Sequence, residues 1–190
     1  MKSDAKTRLI HAMAALLQTQ GYSNTGLNQI VELSEAPKGS LYHYFPAGKV
    51  ELAVAAIEYS SAALGEQLSR LCAGAPSAKA GLGAIIDFFA DELQYSAFAK
   101  GCPVATVTLE QSAHDDVIGQ ACAAAYAQWQ RGIEVYLRRH GVNGASGKAE
   151  FFLICIEGAL TLARAHRSVE PLRRVKRQLP TLLGAANKEP

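Results

Sequence analysis

A short segment around position 40 carries side chains of the types that proteins use to bind nucleic acid. Lysine and histidine can donate hydrogen bonds to base edges or phosphate oxygens, and hydroxyl groups bind phosphate. Gly39 lets a backbone approach closely, and Lys49 follows shortly afterwards. Eight residues in and near this segment are candidate DNA contacts: Thr25, Asn28, Lys38, Gly39, Ser40, Tyr42, His43 and Lys49.

Taken one at a time, these residues are more typical of a solvated polar face, so their interpretation depends on the elements around them. Apolar residues recur at helical spacing over 4–20. Thr25 can cap a short second helix, and Pro37 can begin a third, which Pro46 ends. An amphipathic helix followed by two short helices across a tight turn predicts a helix-turn-helix.

The rest of the chain is predicted to be helical as well. A long helix follows Gly48, and no stretch alternates with the period of a strand over more than a few residues. The further helices are predicted near 49–72, 78–95, 103–111, 115–140, 148–166 and 171–183. The sequence therefore predicts an all-α fold of about nine helices. Residues 1–50 form the expected helix-turn-helix domain, and residues 51–190 form a second helical domain.

Composition narrows the class of protein. With 49% hydrophobic and 19% charged residues the chain should be globular. Lys and Arg number 19 against 17 Asp and Glu, so the DNA-binding hypothesis depends on the local pattern and not on bulk charge. No window approaches the roughly 18 apolar residues of a membrane span. We therefore expect no membrane partner and a cytoplasmic location.

Motifs for catalysis and for metal or cofactor binding are missing from residues 73–190. There is no Gly-x-Ser-x-Gly, no His-Glu-x-x-His and no phosphate-binding loop, so we expect neither an enzyme, a metal site nor a cofactor. The four cysteines match no zinc or disulfide spacing. Cys102, between Gly101 and Pro103 in a predicted break, leaves open a thiol-based redox sensor.

Two N-terminal segments form one pattern: Thr-Gly-Leu-Asn-Gln-Ile-Val at 25–31 and Lys-Gly-Ser-Leu-Tyr-His-Tyr-Phe at 38–45. This pattern resembles that of the TetR family of bacterial transcriptional regulators. With Gly-Cys-Pro at 101–103 and Ile-Glu-Gly-Ala-Leu at 156–160, the chain is similar to the subgroup that responds to aromatic antibiotics and flavonoids. It departs at Glu35, where the family usually has glycine, so we expect strain in that turn.

The resemblance implies a repressor that a small hydrophobic effector releases from a near-palindromic DNA operator. It also implies a homodimer formed by the last two helices, and a ligand cavity enclosed by the fifth to eighth helices. Apolar and carboxylate side chains are the candidate walls: Phe89, Leu93, Val104, Val107, Glu110, Tyr126, Trp129 and Glu157. A helical small-molecule carrier whose DNA-binding head has lost its role is the other alternative.

Overall fold

The computed structural model describes residues 4–37 and 39–184. Within these ranges it contains nine helices and no strand, which confirms the predicted all-α fold. The helices are α1 Ala5–Gln20, α2 Leu27–Ser34, α3 Ser40–Tyr44, α4 Lys49–Ala73, α5 Ala78–Tyr95, α6 Pro103–Gln111, α7 Asp116–Arg139, α8 Ala145–His166 and α9 Glu170–Leu183. None of these helices is long and apolar enough to cross a membrane.

The starts of α2, α3 and α8 differ from the prediction, and α8 begins at Ala145, three residues before its predicted start. The N-cap of α2 is Gly26, whose N–H donates to the Gln29 side chain at 2.9 Å, and not Thr25. The Thr25 hydroxyl instead donates to the Gly21 carbonyl at 2.6 Å. Helix α3 begins at Ser40, because the turn before it is closed by a hydrogen bond from the Ser40 N–H to the Pro37 carbonyl.

The chain folds into two compact units, each built from two segments. Unit 1 takes its residues from 1–63 and 102–126, and unit 2 from 64–101 and 127–190. The expected domain 1–50 lies wholly within unit 1, which also contains α6. Helices α4 and α7 each contribute residues to both units.

In unit 1, a buried apolar core holds the three N-terminal helices together. Leu9 and Met13 of α1, Ile30 of α2 and Leu41 of α3 are all buried, as is Phe45 just after α3. Burial of a side chain of this size contributes about 1.5 to 3 kcal/mol. The five-residue helix α3 makes few hydrogen bonds of its own, so its position depends on Leu41 and Phe45.

In unit 2, helix α9 packs against both α5 and α8. Leu82 and Ile86 of α5, Phe152 of α8 and Leu172 of α9 are buried in this core. An ion pair between Lys176 of α9 and Asp87 of α5 lies at its exposed edge, with an N–O distance of 2.6 Å. The packing of α9 against α5 and α8 thus forms the apolar core of unit 2.

Candidate nucleic-acid interface and ligand cavity

The turn between α2 and α3 contains the non-glycine residue that the sequence analysis expected to be strained. Glu35 has φ 51° and ψ 27°, the left-handed conformation in which glycine is favoured, so that expectation is confirmed. Arg8 of α1 stabilises the turn. Its Nε donates to the Ser34 carbonyl at 2.9 Å and its Nη2 to the Glu35 carbonyl at 3.2 Å. Arg8 therefore helps to fix where α3 begins.

The candidate DNA contacts divide into an exposed set and an inward set. Asn28 of α2 and His43 of α3 are exposed, and Tyr42 is 61% exposed. Gly39 is exposed just before α3, and Ser40 is half-buried as the first residue of that helix. Lys38 lies outside the described residues. The exposed residues present amide, hydroxyl and imidazole groups close together in the chain.

Thr25 and Lys49 form the inward set. Thr25 is 1% exposed, and its hydroxyl donates a hydrogen bond to the Gly21 carbonyl. The Lys49 ammonium donates to the Tyr22 carbonyl at 2.7 Å and lies 4.0 Å from the centre of the Tyr22 ring. Partial burial lowers the pKa of Lys49, and the nearby Glu110 carboxylate opposes that shift. Both side chains hold the α1–α2 turn in place, whereas the sequence analysis expected them at phosphates.

Glu110 contacts the same turn from α6. Its Oε2 accepts hydrogen bonds from the backbone N–H groups of Tyr22 at 2.6 Å and Ser23 at 3.0 Å. Gly21 has φ 79°, and a Cβ atom there would collide with the Glu110 carboxylate. Glu110, expected in the wall of a ligand cavity, thus lies in unit 1 and joins α6 to the α1–α2 turn.

Sequence reasoning missed the roles of Arg8 and Glu110. The sequence contained one indication of such a contact. Gly21 ends α1, and the backbone N–H groups that follow it lack helix acceptors and need others. Nothing in the local sequence says which carboxylate supplies them, since Glu110 follows Tyr22 by 88 positions. The pairing depends on the packing of α6 against α1.

Unit 2 contains a cavity of about 650 Å³ beside the C-terminal parts of α4 and α7 and the first half of α5. Trp129 and Ile133 of α7, Leu68 and Cys72 of α4 and Ile85 of α5 are among its lining residues. Its volume lies within the usual range for small-molecule pockets, about 300 to 1,000 Å³. The cavity is therefore large enough for an aromatic ligand.

Three of the expected wall residues lie at a second, much smaller cavity of unit 2. This cavity of about 20 Å³ is lined in part by Phe89, Trp129 and Glu157, and Trp129 also lines the larger one. Leu93 is buried in the unit 2 core. The remaining expected wall residues belong to unit 1: Val104, Val107, Glu110 and Tyr126. Val104 and Val107 are completely buried there, because α6 packs against α1.

The cysteine that suggested a redox sensor is buried. Cys102 is 9% exposed, and its sulfur accepts a hydrogen bond from the Ala105 N–H at 3.4 Å as the N-cap of α6. Burial raises the pKa of the thiols of Cys72, Cys122 and Cys155. These environments favour the packing role over reactivity. Among the described residues, no group of three or more His, Cys, Asp or Glu is placed to hold a metal ion.

Comparison with known proteins places both parts of the chain in one family. Residues 9–56 match the family described as bacterial regulatory proteins, tetR family, and residues 78–178 match "Transcriptional regulator LmrA/YxaF-like, C-terminal domain". The HTH-type transcriptional regulator LmrA of Bacillus subtilis (strain 168) is 30% identical over 95% of this chain and 97% of its own length. YxaF of the same organism is 29% identical over 96% of each chain.

A solved structure shows the same fold. The crystal structure of regulatory protein TetR from Rhodobacter sphaeroides has a TM-score of 0.82 and 27% identity, covering 96% of this chain and 98% of that one. The helix-turn-helix and the second helical unit thus define a DNA-binding transcriptional regulator. The chain belongs to the TetR family of bacterial transcriptional regulators. Its relatives are regulators and not enzymes.

We expect Glu110→Ala to lower the free energy of unfolding, measured by urea denaturation, by about 1 kcal/mol. The variant removes the acceptor of two backbone N–H groups, of which the Ser23 N–H is exposed, so water can replace part of the loss. Glu110→Gln is the matched control, because it keeps an acceptor oxygen and should lose less. Equal stability of Glu110→Ala and the unchanged protein would contradict the assigned role.

Proposed function

We propose that this regulator is a repressor that binds its operator as a homodimer and is released when a small hydrophobic or aromatic molecule occupies the cavity of unit 2. The observation that carries the proposal is the cavity of about 650 Å³ lined by Trp129. The resemblance to the subgroup that responds to aromatic antibiotics and flavonoids supports an aromatic effector. Such pockets are mostly apolar with a few polar groups, as this one is.

The DNA-reading surface in this proposal consists of the exposed residues Asn28, Tyr42 and His43. Helix-turn-helix proteins place the second helix of the motif in the major groove, where its first residues reach the base edges. Helix α3 occupies that position, with Ser40 at its start. His43 can donate to a base edge or a phosphate, whereas the hydroxyl of Tyr42 suits a phosphate oxygen.

We expect His43→Ala to weaken binding to a selected operator by about 1 to 3 kcal/mol, with a smaller effect on random DNA, because a base contact carries sequence information. Tyr42→Phe should weaken binding to both DNAs alike. Operator fragments would be selected from the genome with the purified protein, and affinities measured by fluorescence anisotropy. The control is His114→Ala, an exposed histidine outside α2 and α3. Unchanged operator affinity in both variants would refute the assignment.

The dimer in this proposal forms through α8 and α9. Phe151, Ile154 and Leu162 of α8 are 56%, 61% and 52% exposed, an unusual display of large apolar side chains on one helix. Ile154 and Leu162 line a groove between α8 and α9 together with Gly158 and Ala159. A second copy paired about a two-fold axis would cover these side chains. A two-fold dimer reads two half-sites, so the operator is near-palindromic.

We expect Leu162→Arg to produce a monomer in analytical ultracentrifugation at micromolar concentration, because the change places a charge where the partner must pack. Specific operator binding should be lost with it. The matched control is Leu109→Arg, which makes the same change at an exposed leucine of α6 and should leave the dimer intact. A monomeric unchanged protein would disprove the proposed assembly.

The response to effector rests on differential affinity. A ligand shifts the regulator away from its DNA-binding state only if it binds the two states unequally. The C-terminal parts of α4 and α7 line the cavity, and both helices also supply residues to unit 1. A coupling of about 1 to 3 kcal/mol would weaken operator binding roughly 5- to 150-fold.

Trp129 is the only tryptophan in the chain and lines the cavity, so its fluorescence reports binding directly. We expect aromatic compounds that quench the Trp129 fluorescence to weaken operator binding roughly 5- to 150-fold. Ile133→Phe would narrow the cavity without adding a second tryptophan, and it should weaken both effects together. Binders that never alter operator affinity would instead favour the carrier. Release by peroxide that is lost in Cys102→Ser would favour the thiol sensor.

A further inference from the structure

The larger cavity of unit 2 has a one-sided charge. The ionisable residues that line it include Arg131, Arg139 and His140, all three basic and exposed. No aspartate or glutamate is among the residues that line it in the described part of the chain. A cavity with cations on its wall and no carboxylate attracts anions and repels cations.

The two guanidinium groups are available to a ligand. Among the described residues, neither Arg131 nor Arg139 has a hydrogen bond or ion pair to another side chain. Arg138, between them on the same helix, differs, because it pairs with Glu134 at 2.6 Å. Arginine stays charged at every physiological pH, and its planar group binds a carboxylate through two parallel hydrogen bonds.

The other ionisable lining groups leave this charge uncompensated. Burial raises the pKa of the Cys72 thiol and of the Tyr136 phenol, so both stay neutral near pH 7. The Tyr136 hydroxyl donates a hydrogen bond to the Ser77 carbonyl at 2.9 Å, so its proton is already engaged within the protein. The remaining wall includes Trp129, Leu68 and Ile133, a surface suited to a flat apolar ring.

We infer that the cavity selects organic anions, in which an aromatic body packs against Trp129 and a carboxylate binds the guanidinium of Arg131 or of Arg139. The inference rests on the proposed function, since it takes the same cavity as the effector site. It goes further because it excludes cationic and neutral aromatics as preferred ligands. The positive charge and the apolar wall together define an amphipathic acid.

The test compares three probes that share one ring system: 2-naphthoate, 2-naphthamide and 2-naphthylmethylamine. Isothermal titration to the full-length protein should give 2-naphthoate an affinity about tenfold above that of the amide, because each exposed charge pair adds only a few-fold. The cationic amine should bind more weakly than the amide. The preference should shrink as salt increases from low to high concentration.

The variant that decides the question is Arg131→Gln with Arg139→Gln, which should reduce the preference for the acid to below about twofold. Arg138→Gln is the control, because it removes one positive charge from the same helix outside the cavity lining, and it should keep the preference. Both arginines are exposed, so folding should persist, and circular dichroism checks it. Arg131→Lys with Arg139→Lys should retain part of the preference.

Three results would overturn the inference: equal affinities for acid and amide, no binding of the acid, or a preference that survives in the double glutamine variant. The operator-release assay separates this failure from failure of the proposed function. If the neutral amide releases operator DNA as well as the acid does, the effector cavity stands and only its anion selectivity falls. If no cavity ligand alters operator binding, the proposed function falls as well.

Discussion

The α1–α2 turn imposes a constraint that the rest of unit 1 must meet. The chain leaves α1 through Gly21, whose positive φ of 79° suits a glycine, and the Glu110 carboxylate accepts from the next two backbone N–H groups. A partly buried backbone donor without an acceptor is costly, so the fold must bring one to it. The Glu110 carboxylate does this for both Tyr22 and Ser23. Helix α6 therefore belongs with the N-terminal helices.

Lys49 completes the arrangement from the first residue of α4. Its ammonium binds the Tyr22 carbonyl, while Glu110 binds the Tyr22 N–H, so one peptide segment is held on both sides by opposite charges. The lowered pKa of Lys49 shows that burial is the larger influence on its ammonium and the Glu110 charge the smaller one. Helices α4 and α6 thus meet at the turn that precedes α2.

Helix content was predictable from the sequence because it depends on periodicity within one segment. The spans of α5 and α6 were predicted residue for residue, since the break at Gly74 and Pro76 precedes α5 and Pro103 is the first residue of α6. The site was less predictable. Tyr42 and His43 lie on the exposed side of α3 as Leu41 and Phe45 require, whereas Val104 and Glu110 were misplaced because their surroundings depend on where α6 packs. That packing joins positions about 88 apart and leaves no local signature.

The same contacts determine which positive charges of unit 1 remain available to a ligand. Arg8 donates to the carbonyls of Ser34 and Glu35, and Lys49 donates to that of Tyr22. Two cations of unit 1 are therefore hydrogen-bonded to backbone carbonyls. Glu35 adds a negative charge at the turn itself. Non-specific affinity for DNA grows with the number of phosphates that cations neutralise. Because Arg8 and Lys49 are engaged in this way, the DNA-binding surface that we propose relies on the neutral donors Asn28 and Tyr42 and on His43, together with other cations of unit 1 such as the exposed Lys6. Under that proposal, direct contacts to bases require α3 to be positioned to within a hydrogen-bond length, so binding would be sensitive to small movements of the turns that Arg8, Lys49 and Glu110 hold.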